Sequence, residues 1–151
     1  MLTRPAAVHP VNAGPRVADE VALVRAAAAT GHAVYWTGPE ADVHTELTLR
    51  SDGSVYVRYL PRGAGAGAQG ALPTVATYQV AGAYSATLRL AARRGAIRRT
   101  LPNGGVAVVP SASARDVYVA FPGGTEQVEV FAPRAGAALA AARRVRPVGG
   151  P

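Results

Sequence analysis

The stretch His44-Thr45-Glu46-Leu47-Thr48-Leu49-Arg50-Ser51-Asp52-Gly53-Ser54-Val55-Tyr56-Val57-Arg58-Tyr59-Leu60-Pro61 decides the fold. Two β-prone runs flank Asp52-Gly53. A type I′ turn needs positive φ at both central residues, and Asp-Gly supplies it at low cost, so the stretch reads as a β-hairpin. A two-residue loop pairs Ser51 with Ser54, Leu49 with Tyr56 and Leu47 with Arg58. Leu47, Leu49, Tyr56 and Leu60 then form a core face. Glu46, Thr48, Arg50, Val55, Val57 and Tyr59 share the other. Arg58 falls on the apolar face, where it snorkels, pairs with a carboxylate or anchors an anionic ligand.

Upstream of the hairpin, residues 1–14 read as a Pro-interrupted arm. Pro15 suits a first helical turn, Val17, Val21, Val24 and Ala28 recur at helical spacing, and Gly31 suits the C-terminal cap. A helix is expected over 15–30. A short strand follows at Ala33-Val34-Tyr35-Trp36-Thr37, with Trp36 packed in the core and its indole N–H bonded to backbone. Glu40, Asp42, His44 and Glu46 alternate with apolar residues. If extended, they lie on one side at spacings of about 6–7 Å. Such a row is an ordinary solvated face or, less simply, a site for a hard cation or zinc.

Downstream, residues 61–73 alternate Gly with Ala and read as a mobile loop. Their glycines lack the Lys and Ser/Thr of a phosphate-binding loop. A strand is expected over 74–80 and a helix over 83–94, with Tyr84, Leu88 and Ala91 on one face. A second hairpin turns on Asn103-Gly104. A third turns on Gly123-Gly124, with Val119 opposite Val128 and Val117 opposite Val130. Pro133 opens a last Ala-rich helix to about Arg144, and 146–151 read as a tail.

The element order is a helix, four strands, a helix, four strands and a helix. It indicates an α+β fold, a twisted antiparallel β-sheet of hairpins with three helices packed on one face. The two α-β4 halves raise the idea of a duplication. Residues 15–145 form one domain between a flexible arm and a flexible tail.

The 151 residues contain no Cys, which rules out disulfides, thiol nucleophiles and Cys-ligated metals. All 16 basic residues are Arg, in keeping with a GC-rich coding bias. The net charge of +7 belongs to one half. Residues 1–88 hold six Arg and six acids, whereas 89–151 hold ten Arg and three acids. The second half is therefore suited to an acidic partner. Arg89, Arg93, Arg94, Arg98 and Arg99 are the candidate anionic-ligand residues, with Arg143, Arg144 and Arg146 as further members. No apolar run reaches the roughly 18–20 residues of a membrane span, and no signal peptide is visible.

Three segments resemble an uncharacterised family of often exported or lipoprotein-type domains from high-GC Gram-positive bacteria. They are Val34-Tyr35-Trp36-Thr37-Gly38-Pro39, Asp52 to Pro61 and Val128-Glu129-Val130-Phe131-Ala132-Pro133. The resemblance spans about residues 33–145. It implies an envelope location if a leader is removed, with a cytoplasmic one otherwise, and it brings no catalytic residues. The family's leader and lipid-accepting Cys are not found here.

No Ser lies in a Gly-x-Ser-x-Gly setting, and His9, His32 and His44 do not suggest a triad. His32, just after Gly31, is expected to face the negative end of the first helix. The sequence therefore favours a binding domain over an enzyme, with no cofactor, catalytic residue or metal ligand assigned. Its expected partner is an anionic polymer, a lipid headgroup or another protein. The alternatives are a nucleic-acid-associated basic protein and a metal-dependent enzyme using His44 and its acidic neighbours.

Overall fold

A computed structural model describes residues 12–112 and 114–150. Strand β1 covers Ala13–Val17, helix α1 Glu20–Thr30, β2 Tyr35–Trp36, β3 Val43–Leu49, β4 Val55–Pro61 and β5 Thr74–Gln79. Helix α2 covers Ala83–Ala91, and β6 Ile97–Thr100, β7 Val106–Val109, β8 Asp116–Ala120 and β9 Glu126–Phe131 follow it. Helix α3 (Ala137–Ala142) and β10 (Arg146–Pro147) close the chain. The expected α+β class is what is found. Eight strands form one antiparallel sheet in the order β1-β3-β4-β5-β9-β8-β7-β6, and β10 pairs with β2 in a separate ribbon.

The first hairpin forms where expected, one residue out of the expected register. Leu49 faces Val55, Thr48 faces Tyr56, Leu47 faces Val57 and Glu46 faces Arg58. The Arg50 amide donates to the Ser54 carbonyl, and the Gly53 amide donates to the Arg50 carbonyl. The loop is therefore Ser51-Asp52-Gly53, three residues with a left-handed Gly53 at φ +87°. The Asp52 side chain accepts from the Ser54 amide at 2.9 Å, which holds its carboxyl below the ordinary value. Because side chains alternate, a one-residue slip exchanges the faces of β4. Val55, Val57 and Tyr59 join Leu47 and Leu49 in the core. Tyr56, Arg58 and Leu60 go to the other side, so Arg58 is no intruder. The second hairpin repeats this loop at Pro102-Asn103-Gly104, where Leu101 bonds Gly105 and Gly104 bonds Leu101. The third has the expected register, Val119 on Val128 and Val117 on Val130.

The helix expected over 15–30 is shorter. Asp19 is a better N-cap than anything at residue 14, and its Oδ1 accepts from the Ala22 amide at 2.8 Å. The residues before it form β1 at the sheet edge, where Pro15 is tolerated. The expected apolar stripe faces outward, with Val17, Val21 and Val24 41–58% exposed. Leu23 and Ala26 are the buried pair instead. At the other end, Arg146 and Pro147 belong to a strand rather than a tail. The last helix starts after a left-handed Gly136 rather than at Pro133. The arm expected over 1–14 lies, except for residues 12–14, outside the described residues.

One face of the sheet carries the main core. Val57, Val75, Val117, Val119, Val128 and Val130 bury there against Leu23 of α1, Tyr35 and Trp36 of β2, and Ala138 and Ala142 of α3. Each fully buried Val or Leu side chain contributes about 1.5–3 kcal/mol. Not all helices share that face. In β7 every residue is buried, Val106 and Val108 on the opposite side from Ala107 and Val109. A strand apolar in both phases needs cover on both sides. Helix α2 supplies the second cover, laying Tyr84 and Leu88 over Val106, Val108 and Ala120. The repeated element order is thus no spatial repeat. α1 and α2 lie on opposite faces, and β2 leaves the main sheet.

Candidate functional site

The acidic row entering β3 does not assemble. Residues 40–42 are turn or irregular rather than strand, and Asp42 is left-handed at φ 58°. Each carboxylate takes its own arginine. Glu40 pairs with Arg144 at 3.0 Å, Asp42 with Arg62, and Glu46 with Arg58 at 3.4 Å. His44 Nε2 is 2.7 Å from the Ala64 carbonyl oxygen. Among the described residues no group of three or more His, Asp or Glu could hold a metal.

These contacts organise the Gly/Ala loop instead. Glu46, 1% exposed, accepts from the Gly67 amide at 2.6 Å, and Arg58 donates to the Ala68 carbonyl at 2.5 Å. The loop expected to be mobile is folded back over β3 and β4, its backbone groups at Ala64, Gly67 and Ala68 meeting the side chains of His44, Glu46 and Arg58. His32 is likewise drawn into structure. Its Nδ1 and Nε2 each lie 2.8 Å from a carbonyl oxygen, those of Ala33 and Gly53, tying the exit of α1 to the hairpin tip. Trp36 is 3% exposed as expected, yet its Nε1 finds no partner among the described residues. The Arg146 guanidinium lies 6.0 Å from its ring centroid.

The five candidate arginines gather at one end. Arg89 lies in the last turn of α2, Arg93 and Arg94 in the turn after it, and Arg98 and Arg99 on β6. β6 is the outer strand of the sheet. All five side chains are exposed. None forms an ion pair among the described residues, where the only three pairs involve Arg58, Arg62 and Arg144. Arg98 pairs with Val108 and so lies on the α2 side of the sheet. Arg99 pairs with Ala107 and takes the opposite side. Of the further candidates, Arg144 is occupied by Glu40 and Arg146 by Trp36.

A second concave region was not anticipated. Across the face that carries α2, one row of side chains runs Tyr56, Ala76, Glu129, Tyr118 and Val108. The small Ala76 leaves a depression of about 230 Å³, lined by Tyr56, Thr74, Tyr78, Asp116, Glu129 and Phe131. Tyr56 and Tyr78 meet edge to face with centroids 6.0 Å apart, and the Arg50 guanidinium lies 5.5 Å from the Tyr56 centroid. The Tyr78 hydroxyl donates to Glu129 Oε2 at 2.8 Å. Burial holds the Glu129 carboxyl above its ordinary value. The Tyr78 bond opposes this and the neighbouring Asp116 carboxylate adds to it. Burial beside Glu129 raises the Tyr78 and Tyr118 hydroxyls too. The available signal was the phase opposite Val117/Val119 and Val128/Val130, which collects Asp116, Tyr118 and Glu129.

Comparison of the chain with family models, with curated proteins and with solved structures finds no match. No helix among the described residues is long and apolar enough to cross a membrane.

Proposed function

We propose that this chain is a binding domain that uses its arginine-bearing end, the C-terminal part of α2 and strand β6, to hold an anionic polymer. The observation that carries this reading is the set of five exposed arginines without carboxylate partners among the described residues. Arginines engaged internally, such as Arg58 and Arg144, offer an anion much less. Guanidinium groups on an edge strand also discourage strand-to-strand aggregation, a role compatible with ligand binding. The resemblance to exported domains makes a wall polymer or a lipid headgroup the natural source of the charge, ahead of nucleic acid.

The test is salt-gradient retention on immobilised heparin. The expected result is retention that weakens with salt and is largely lost in the Arg89→Gln/Arg93→Gln/Arg98→Gln variant. Each phosphate contact removed from a polyphosphate ligand should lower the salt slope by about 1. Equal retention of the variant and the parent would overturn the reading. Duplex DNA binding tighter than polyphosphate at matched salt would move the assignment to nucleic acid.

A further inference from the structure

From the geometry of the open sheet face we infer a second, independent binding site: the depression over Ala76, walled by Tyr56, Tyr78 and Phe131 and floored by Asp116 and Glu129, receives an alkylammonium cation. The first argument is charge placement. In a chain of net charge +7, arginines neutralise Glu40, Asp42 and Glu46 individually. Asp116 and Glu129 lie side by side, and among the described residues neither forms an ion pair. The Arg50 guanidinium lies against the Tyr56 ring instead, and Arg58, opposite Thr74 on the same face, is taken up by Glu46 and the Ala68 carbonyl. Two adjacent carboxylates repel each other, and a bound cation would relieve that repulsion.

The second argument is the wall. Ring faces and carboxylates together are the chemistry that holds ammonium groups, the rings through their quadrupoles and the carboxylates through charge. The rings here come from three different strands and converge on the smallest side chain of the row. Tyr78 is held in place by its bond to Glu129, so ring and carboxylate are positioned together. The raised Glu129 carboxyl agrees with this arrangement, since a cation would favour the charged form that burial now disfavours. Helix α2 stands on the same face, beside the depression. That geometry suits a small soluble cation better than the headgroup plane of a flat bilayer.

The probes are choline, n-butylammonium and the neutral choline isostere 3,3-dimethylbutan-1-ol. Each is titrated into the full chain while tyrosine ring and backbone amide resonances are followed. Saturable shifts centred on Tyr56, Tyr78 and Glu129 are expected for both cations, with a Kd on the order of 1 mM or tighter, and none for the isostere. The Asp116→Asn/Glu129→Gln variant should bind at least tenfold more weakly. Ala76→Leu, which fills the depression and leaves every charge in place, should abolish binding while amide spectra show the native fold. Equal shifts from the neutral isostere, unsaturable shifts from all three probes, or unchanged affinity in both variants would overturn the site. Phosphatidylcholine vesicles competing better than free choline at equal headgroup concentration would overturn the soluble source. Neither arm depends on the arginine end, which the heparin test addresses separately.

Discussion

Replacing Arg58 by Met tests the observed register of β3 against β4 most directly. Methionine keeps the aliphatic stem and removes the charge and the two polar contacts. Glu46 is 1% exposed, and the Arg58 Nε lies 3.4 Å from its Oε1. At an effective dielectric of about 20, the attraction at that separation is about 5 kcal/mol. Arg58 is 26% exposed, so solvent screening discounts the figure. Its bond to the Ala68 carbonyl goes with it, but the Gly67 amide still serves Glu46. A net loss of about 3 kcal/mol follows, within the usual range for breaking one side of a buried pair. For a chain of this size that lowers the melting temperature by about 6–12 °C.

Glu46→Leu alone and the double variant complete a thermodynamic cycle, read by urea denaturation at neutral pH. The double variant should be more stable than the sum of the single losses predicts, with a coupling on the order of 2 kcal/mol. Hydrogen exchange at the Gly67 amide should accelerate in both Glu46→Leu backgrounds, because its acceptor is gone. A coupling under about 0.5 kcal/mol would refute the reasoning. It is the value expected if the hairpin adopted the two-residue loop, which puts Arg58 opposite Leu47 and on the far face from Glu46.

Two further outcomes are expected. Between the ordinary carboxylate value and the raised value of Glu129, the native state holds a proton that the unfolded chain has released, so this residue's contribution falls as pH rises through that window; the stability of wild type minus that of Glu129→Gln should decline as pH rises above the ordinary carboxylate range, and a flat difference in denaturation midpoints would contradict it. In Gly105→Ala, the new Cβ would come within 2.6 Å of the Phe121 ring, which stacks on Tyr35 at 5.3 Å. A loss of about 1–3 kcal/mol is expected from this overpacking, and an unchanged melting temperature would show that the ring moves freely.

The elements were legible wherever one local signal dominated. Val117 and Val119 against Val128 and Val130 can pair only one way with their apolar sides together, and the third hairpin has that register. The 44–61 hairpin misled because Leu49 could face either Val55 or Tyr56, and Ser51 fits a third loop position as well as a strand position. In the second hairpin the clue was present. Pro102 lacks the amide that a strand-end pair would use and suits the second position of a type I turn. The all-buried β7 likewise announced cover on both sides, as Val106-Ala107-Val108-Val109 has no polar phase.

The two surfaces differ in the same way. The arginines of 89–99 are close in sequence, so they are close in space under almost any fold. Tyr56, Tyr78, Asp116 and Glu129 sit on four strands. They meet only because β5 pairs with β9, an adjacency that no turn signal encodes. The one-residue slip in the first hairpin then decides that Tyr56 faces the depression and not the core.

That pairing has a consequence for how the chain assembles. β3-β4-β5 and β6 to β9 are two meanders of consecutive neighbours, and along the main sheet they are stitched only where Thr74–Gln79 meets Phe131–Glu126. Local zipping can complete each meander separately, while the stitch must close a loop of about fifty residues and pay its entropy first. The second stitch, β2 to β10, closes a still longer loop, since Trp36 meets Arg146 and Tyr35 meets Pro147. On a ribosome, the first meander would therefore stand with β5 as a bare edge until β9 arrives. Gln79 is exposed at the end of that strand and Thr74 half-covered at its start, while Val75, Ala76 and Thr77 between them are buried in the complete sheet.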